Sequence, residues 1–263
     1  MDKLPQELID KIIGSIDRIG SDPYHPAPSL LACSCVCRSW RRQAQKGIFL
    51  HVGFIHIDQL RRWDRSVSLE SEVPSYVHHL HWAVWSAREE PPDDPFLENT
   101  FPGCFASFSN IKTLSVANLS LRPLDNAAIE RTFSRMGLSL RYLRINSLAT
   151  DPEKLCFLTS LLPNLKHLCI YTATMSEGER GPSQDNPPSL DFTGHISFYT
   201  SGTEQFFHCI AGLRPRFEGL EVRDIGRDLA DTFNLVVKNC SATLTTISIN
   251  PGLRLVKGNT KLA

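Results

Sequence analysis

The sequence lacks an excess of charge of either sign. Its 263 residues carry 28 Lys and Arg against 28 Asp and Glu, a formal net charge of zero. Surfaces built for nucleic acid or for anionic lipid need a clear basic excess, so neither partner is expected. No stretch approaches the ~20 unbroken apolar residues that span a bilayer. The opening, Met1-Asp2-Lys3-Leu4-Pro5-Gln6-Glu7, has no apolar run of the kind a secretory signal needs. The expectation is an intracellular chain, cytoplasmic or nuclear. Catalytic fingerprints are missing too: there is no Gly-x-Ser-x-Gly, no Gly-x-x-x-x-Gly-Lys-Ser/Thr and no Gly-x-Gly-x-x-Gly. Asp93-Asp94 lies in a proline-rich stretch, a poor place to fix paired carboxylates. Neither an enzyme nor a cofactor is expected.

What the sequence does have is apolar residues. A hydrophobic fraction of 41% is ample for a core and too high for a disordered chain. The eight cysteines read as reduced thiols, because nothing directs export. Cys104, Cys156, Cys169, Cys209 and Cys240 stand singly among apolar neighbours, as small core residues do. Asn118-Leu119-Ser120 and Asn239-Cys240-Ser241 fit the glycosylation acceptor pattern by chance.

The first fifty residues read as three short helices. Leu8, Ile9, Ile12, Ile13 and Ile16 form a helical stripe, with Pro5 in the first turn and a stop by Gly20. Residues 21–28 hold three prolines and read as a loop. Ser29 is expected to cap a second helix carrying Leu30, Leu31, Cys33 and Val36. A third, basic helix runs from Cys37-Arg38-Ser39-Trp40 to Gly47. So small a unit cannot hide all of its apolar groups, which points to docking on a second surface.

Leu4-Pro5-Gln6-Glu7-Leu8, followed by Val36-Cys37-Arg38-Ser39-Trp40, resembles the F-box. The style is similar to the large divergent F-box families of fungi, with a longer proline-rich loop than a compact F-box has. The resemblance covers residues 1–50. It implies docking to the Skp-family adaptor of a Skp–cullin–F-box ubiquitin ligase, and through that adaptor to the cullin core. Candidate adaptor-binding residues are Leu4, Pro5, Leu8, Ile9, Ile12, Ile13, Leu31, Val36, Cys37 and Trp40. Some of these can instead form the module's own core, Trp40 in part.

Residues 51–263 form the second unit, and from about residue 70 a repeat is visible. The spacing Leu-x-x-Leu-x-Leu recurs, its second apolar slot falling at 80, 114, 143, 168, 196, 220 and 247. Helix signals lie between: Asp125 before Ala127–Phe133, Asp151-Pro152-Glu153 before Leu155–Leu162, Thr203 before Phe206–Leu213, Asp228 before Leu229–Val237. Alternating strand and helix demand a parallel sheet with right-handed crossovers. The fold class is α/β: a three-helix F-box followed by a curved, leucine-rich-repeat-like solenoid. Arg88–Pro95 and Ser176–Ser189 read as exposed loops.

Strand parity supplies a second surface. If the seven repeat positions point inward, their neighbours line the opposite face of the sheet. Those neighbours include His79, His81, Tyr142, Arg144, His167, Tyr171, Tyr199 and Arg223, a mixture typical of protein-recognition surfaces. They are the candidate target-binding residues, for an unidentified protein. Cys33-x-Cys35-x-Cys37 lacks zinc spacing, and the histidines show no metal-binding motif. The basic residues Arg38, Arg41, Arg42 and Lys46 read as a solvated face. The expected function is target recognition for a ubiquitin ligase. The alternative is a repeat-only interaction scaffold capped by an F-box-like start.

Overall fold

The computed structural model describes residues 4–16, 28–67, 71–83, 107–175, 190, 192–199, 204–213, 215–223 and 230–250. The expected loops at Arg88–Pro95 and Ser176–Ser189, residues 21–27 of the proline-rich loop, the helix stop at Gly20 and the cap residues Thr203 and Asp228 lie outside them, while Pro28, expected in that loop, opens a helix. Three helices open the chain: α1 (Gln6–Ile16), α2 (Pro28–Val36) and α3 (Arg38–Ile48). Pro5 sits just before α1 rather than inside it, and its carbonyl accepts the Leu8 and Ile9 amides at 3.0 and 3.2 Å. Ser29 is not a cap, because α2 already begins at Pro28. Cys37, not a helical residue, is the extended N-cap of α3.

A short strand, β1 (His51–Phe54), then leads to α4 (Ile57–Ser66), α5 (Val73–Tyr76) and β2 (His79–Trp82). After it come β3 (Thr113–Ser120), α6 (Asn126–Gly137), β4 (Tyr142–Thr150), α7 (Pro152–Ser160) and β5 (His167–Met175). The described chain ends with β6 (His195–Tyr199), α8 (Glu204–Gly212), β7 (Gly219–Arg223), α9 (Ala230–Asn239) and β8 (Thr246–Asn250). The eight strands form one sheet, every pair parallel, in the order of the sequence.

The register follows the repeat. Leu80, Leu114, Leu143, Leu168, Ile196, Leu220 and Ile247 are direct partners across successive strands, and Val52 of β1 extends the row. Two residues on, Phe54, Trp82, Val116, Ile145, Ile170, Phe198, Val222 and Ile249 form a second row. Helix residues such as Ile129, Phe133, Leu158, Phe206 and Val236 bury against this face. Two expected caps are in place: Asp125 accepts the Ala128 amide at 2.7 Å and Asp151 the Lys154 amide at 2.8 Å. Ile247 and Ile249 are half exposed, since β8 pairs on one side only among the described strands.

The helical module keeps a separate core. Ile9, Ile13, Leu30, Cys33 and Ala44 are buried together, with Ile16, Trp40 and Ile48 packed on them. Polar contacts mark the joint with the sheet unit. Arg42 of α3 pairs with Glu72 at 3.0 Å, and the Tyr76 hydroxyl of α5 donates to the same carboxylate at 2.6 Å.

One close approach holds the helix layer together. A Cβ built on Gly137 would lie 2.1 Å from the Leu161 carbonyl oxygen, a backbone atom that cannot swing away. Gly137→Ala is expected to cost about 1–3 kcal/mol and to lower the melting temperature by ~3–10 °C. Gly212→Ala, with nothing within 4 Å, should leave the melting temperature unchanged or raise it slightly. Equal effects of the two substitutions would refute this packing account.

Candidate functional site

The module presents an apolar ledge. On an α-helix, positions i, i+4 and i+7 share one face. Ile9, Ile13 and Ile16 take the inward face of α1. Leu8 and Ile12 lie one residue back, about 100° around the axis, and look out. Leu4, Leu8, Ile12, Leu31 and Val36 are between 42% and 62% exposed. Pro5 is exposed beside them.

Two assignments therefore change. Ile9 and Ile13, expected at the docking interface, are only 4% and 2% exposed and belong to the module's core. Their role is to hold α1 at the angle that turns Leu8 and Ile12 outward. Trp40 is half-buried on the same core. Cys37, a candidate adaptor-binding residue, is exposed, and its thiol lies 3.1 Å from the Ser39 hydroxyl. That contact and the Trp40 amide hold the thiol below its usual range.

The second site is the open face of the sheet. The register brings all eight expected residues onto it, in rows that run across the strands. In one row His51 stacks on His79 at 4.3 Å, Tyr142 on His167 at 4.3 Å, and His167 faces His195 at 5.1 Å. Gly219 ends the stack, because a Cβ there would meet the His195 ring at 1.9 Å. Farther along the strands Tyr171 stacks on Tyr199 at 4.0 Å. Arg144 lies over Tyr171 at 4.6 Å and donates to its hydroxyl. Arg223 lies over Tyr199 at 4.7 Å and pairs with Glu221 at 2.9 Å. Sequence reading passed over His51, because the four residues of β1 show no repeat spacing.

A shallow recess of about 370 Å³ opens where β1–β4 meet, lined by His51, His79, His81, Thr113, Arg144 and Asn146 among others. Burial, with His51, His78 and Lys112 adding to it, pushes the His79 imidazole down to about 4. Burial and then Arg144 lower His81, while burial and then His195 lower His167. Tyr171 is pushed up to about 12, first by burial. Burial likewise raises the Cys169 thiol. Among the described residues, no three His, Cys, Asp or Glu side chains converge on a metal position, and no helix is long and apolar enough to cross a membrane.

The histidine row makes stability depend on pH. An unfolded histidine takes up its proton near pH 6.5, whereas folded His79 resists protonation down to about 4. Protons then favour the unfolded chain in that window. The melting temperature should hold above pH 6.5 and fall as the pH drops toward 4. In His79→Gln the fall across that window should be shallower. Parallel curves for the two proteins, measured by calorimetry, would rule the effect out.

No curated protein matches the chain. Residues 1–51 match the F-box-like family, so the three helices that carry the ledge are an F-box-like domain.

Proposed function

We propose that this protein is a target-recognition subunit of a Skp–cullin–F-box ubiquitin ligase. The reading rests on one observation: the F-box-like domain leaves Leu4, Leu8, Ile12, Leu31 and Val36 uncovered on a module with its own closed core. Several exposed apolar groups on so small a module are what an adaptor subunit would bury, at about 1.5–3 kcal/mol for each fully covered side chain. The cullin core would be reached through that adaptor. The sheet unit, which we read as a degenerate leucine-rich-repeat-like solenoid, would hold the target. Its strands follow one another in sequence order, each touching its neighbours, as a solenoid's do. The divergent style of the module fits the fungal F-box families.

In this reading the chain is not an enzyme. It supplies proximity, raising the local concentration of target near the ubiquitin donor to the millimolar range as an order of magnitude. The open-face residues His79, His81, Tyr142, Arg144, His167, Tyr171, Tyr199 and Arg223 would contact the target. Their stacked rings are rigid and already ordered, which lowers the entropy lost on binding.

Capture of the Skp-family adaptor tests the docking half. Leu8→Asp with Ile12→Asp should reduce adaptor recovery at least about tenfold, because two charges would be buried without partners. Helical content should stay at the wild-type level, since both positions are exposed. Ile9→Asp should instead lose helical content along with the adaptor. Undiminished recovery with the double variant would leave the chain as an interaction scaffold outside the ligase.

A further inference from the structure

The open face has an uneven charge that the neutral composition conceals. Strands β1–β6 carry no Asp or Glu, while Arg144 gives them one fixed positive charge beside the imidazoles of His51, His79, His81, His167 and His195. Glu221 of β7 is the one carboxylate on the eight described strands. It is already engaged, by Arg223 at 2.9 Å and by the Ser197 hydroxyl at 3.0 Å. Lys112 and Lys166, exposed one residue before β3 and β5, extend the positive field along the sheet edge.

We propose that the recess at β1–β4 receives an aspartate or glutamate side chain from an acidic segment of the target, with Arg144 as its charge partner. The inference rests on the reading of the open face as the target surface. Its geometry is that of a built donor site. Arg144 lies over the ring of Tyr171 and donates to its hydroxyl, and Tyr171 is itself stacked on Tyr199, so the guanidinium is held in place before a ligand arrives. Thr113, Ser115 and Asn146 bring neutral donors to the same recess.

The charge count selects the anion. Burial keeps His79 and His81 from protonating near pH 7, so they offer N–H groups without full charge. Arg144 is then the fixed positive charge among the recess residues. One such charge with neutral donors matches a carboxylate better than a phosphoryl dianion, which ordinarily gathers two or more cations.

The test applies the full chain to an array of degenerate 15-residue peptides. One central position is fixed as Asp or Glu, as Asn or Gln, or as phosphoserine. Acidic peptides should be retained about tenfold over their amide counterparts, the size expected for a charge-assisted bond. Arg144→Gln should bring that preference below about twofold without changing the melting temperature by more than a few degrees. Arg131→Gln, on the exposed side of helix α6 and off the open face, should keep it. A wild-type protein that ignores the acid–amide difference, yet loses all peptides in Tyr142→Ala with Tyr199→Ala, overturns the acidic inference and keeps the target surface. Phosphoserine retained tenfold over Asp and Glu overturns the choice of carboxylate. Peptide retention indifferent to every open-face variant, or no retention at all, overturns the target surface and the recess together.

Discussion

The arrangement depends on a register lock between parallel strands. Each strand places two apolar side chains, two residues apart, beside the matching pair of its neighbour, and the helices close over both rows. A slip of one residue would turn both rows away from the helices, so the register is strongly specified. The same lock decides what faces the other way. Every strand residue next to a core position is forced onto the open face, which is how His79, Tyr142 and His167 come into one line. Parallel sheets are ordinarily covered on both faces. Here the helix residues join the core on one face, while Tyr142 stands 48% exposed on the other. Among the described residues, then, the helices cover one face of the sheet and leave the other open.

The helical module obeys a different geometry with a comparable outcome. A helix turns by about 100° per residue, so an apolar run such as Leu8, Ile9, Ile12, Ile13 is wider than one neighbour can cover. α2 and α3 cover Ile9 and Ile13; Leu8 and Ile12 remain outside. The core and the ledge are thus two edges of one stripe. The buried edge orients the exposed one, so damage to the buried edge would also disturb the exposed one.

Much of this was legible in the sequence, for reasons that can be named. The spacing Leu-x-x-Leu-x-Leu identified the strands from Leu80 to Ile247 because side-chain parity and burial coincide there. Asp125 and Asp151 marked helix starts because a carboxylate has a defined task at an N-cap. β1 was hidden: it is four residues long, contains Gly53, and offers just Val52 and Phe54 to the core. α4 was hidden too, since Leu60 and Trp63 are its apolar anchors in an otherwise polar helix. Periodicity located the stripe of α1 but not which edge faces inward, because that depends on where α2 and α3 lie. Cys37 was read as the first helical residue for a similar reason. It stands at the junction of two helices, where the chain is extended and side-chain direction does not follow helical phase.

The joint between module and sheet governs how the two units are held to one another. Arg42, Glu72 and Tyr76 form its charged contact, and Arg42 and Glu72 are 67% and 63% exposed. Ion pairs that open to solvent are weak, ordinarily within ~1 kcal/mol, so this contact cannot by itself set the angle between the two units. Covalent continuity does more. α3 ends at Ile48 and β1 begins at His51, leaving two residues between the helix and the first strand. β1 is tied to β2 along its length, and the Leu50 carbonyl accepts the amides of His78 and His79 at 3.0 Å each. A linker that short leaves little rotational freedom, whatever the strength of the ion pair. The inconspicuous first strand therefore carries the mechanical connection: it joins the recess residues His51 and His79 on one side to the helices of the F-box-like domain on the other.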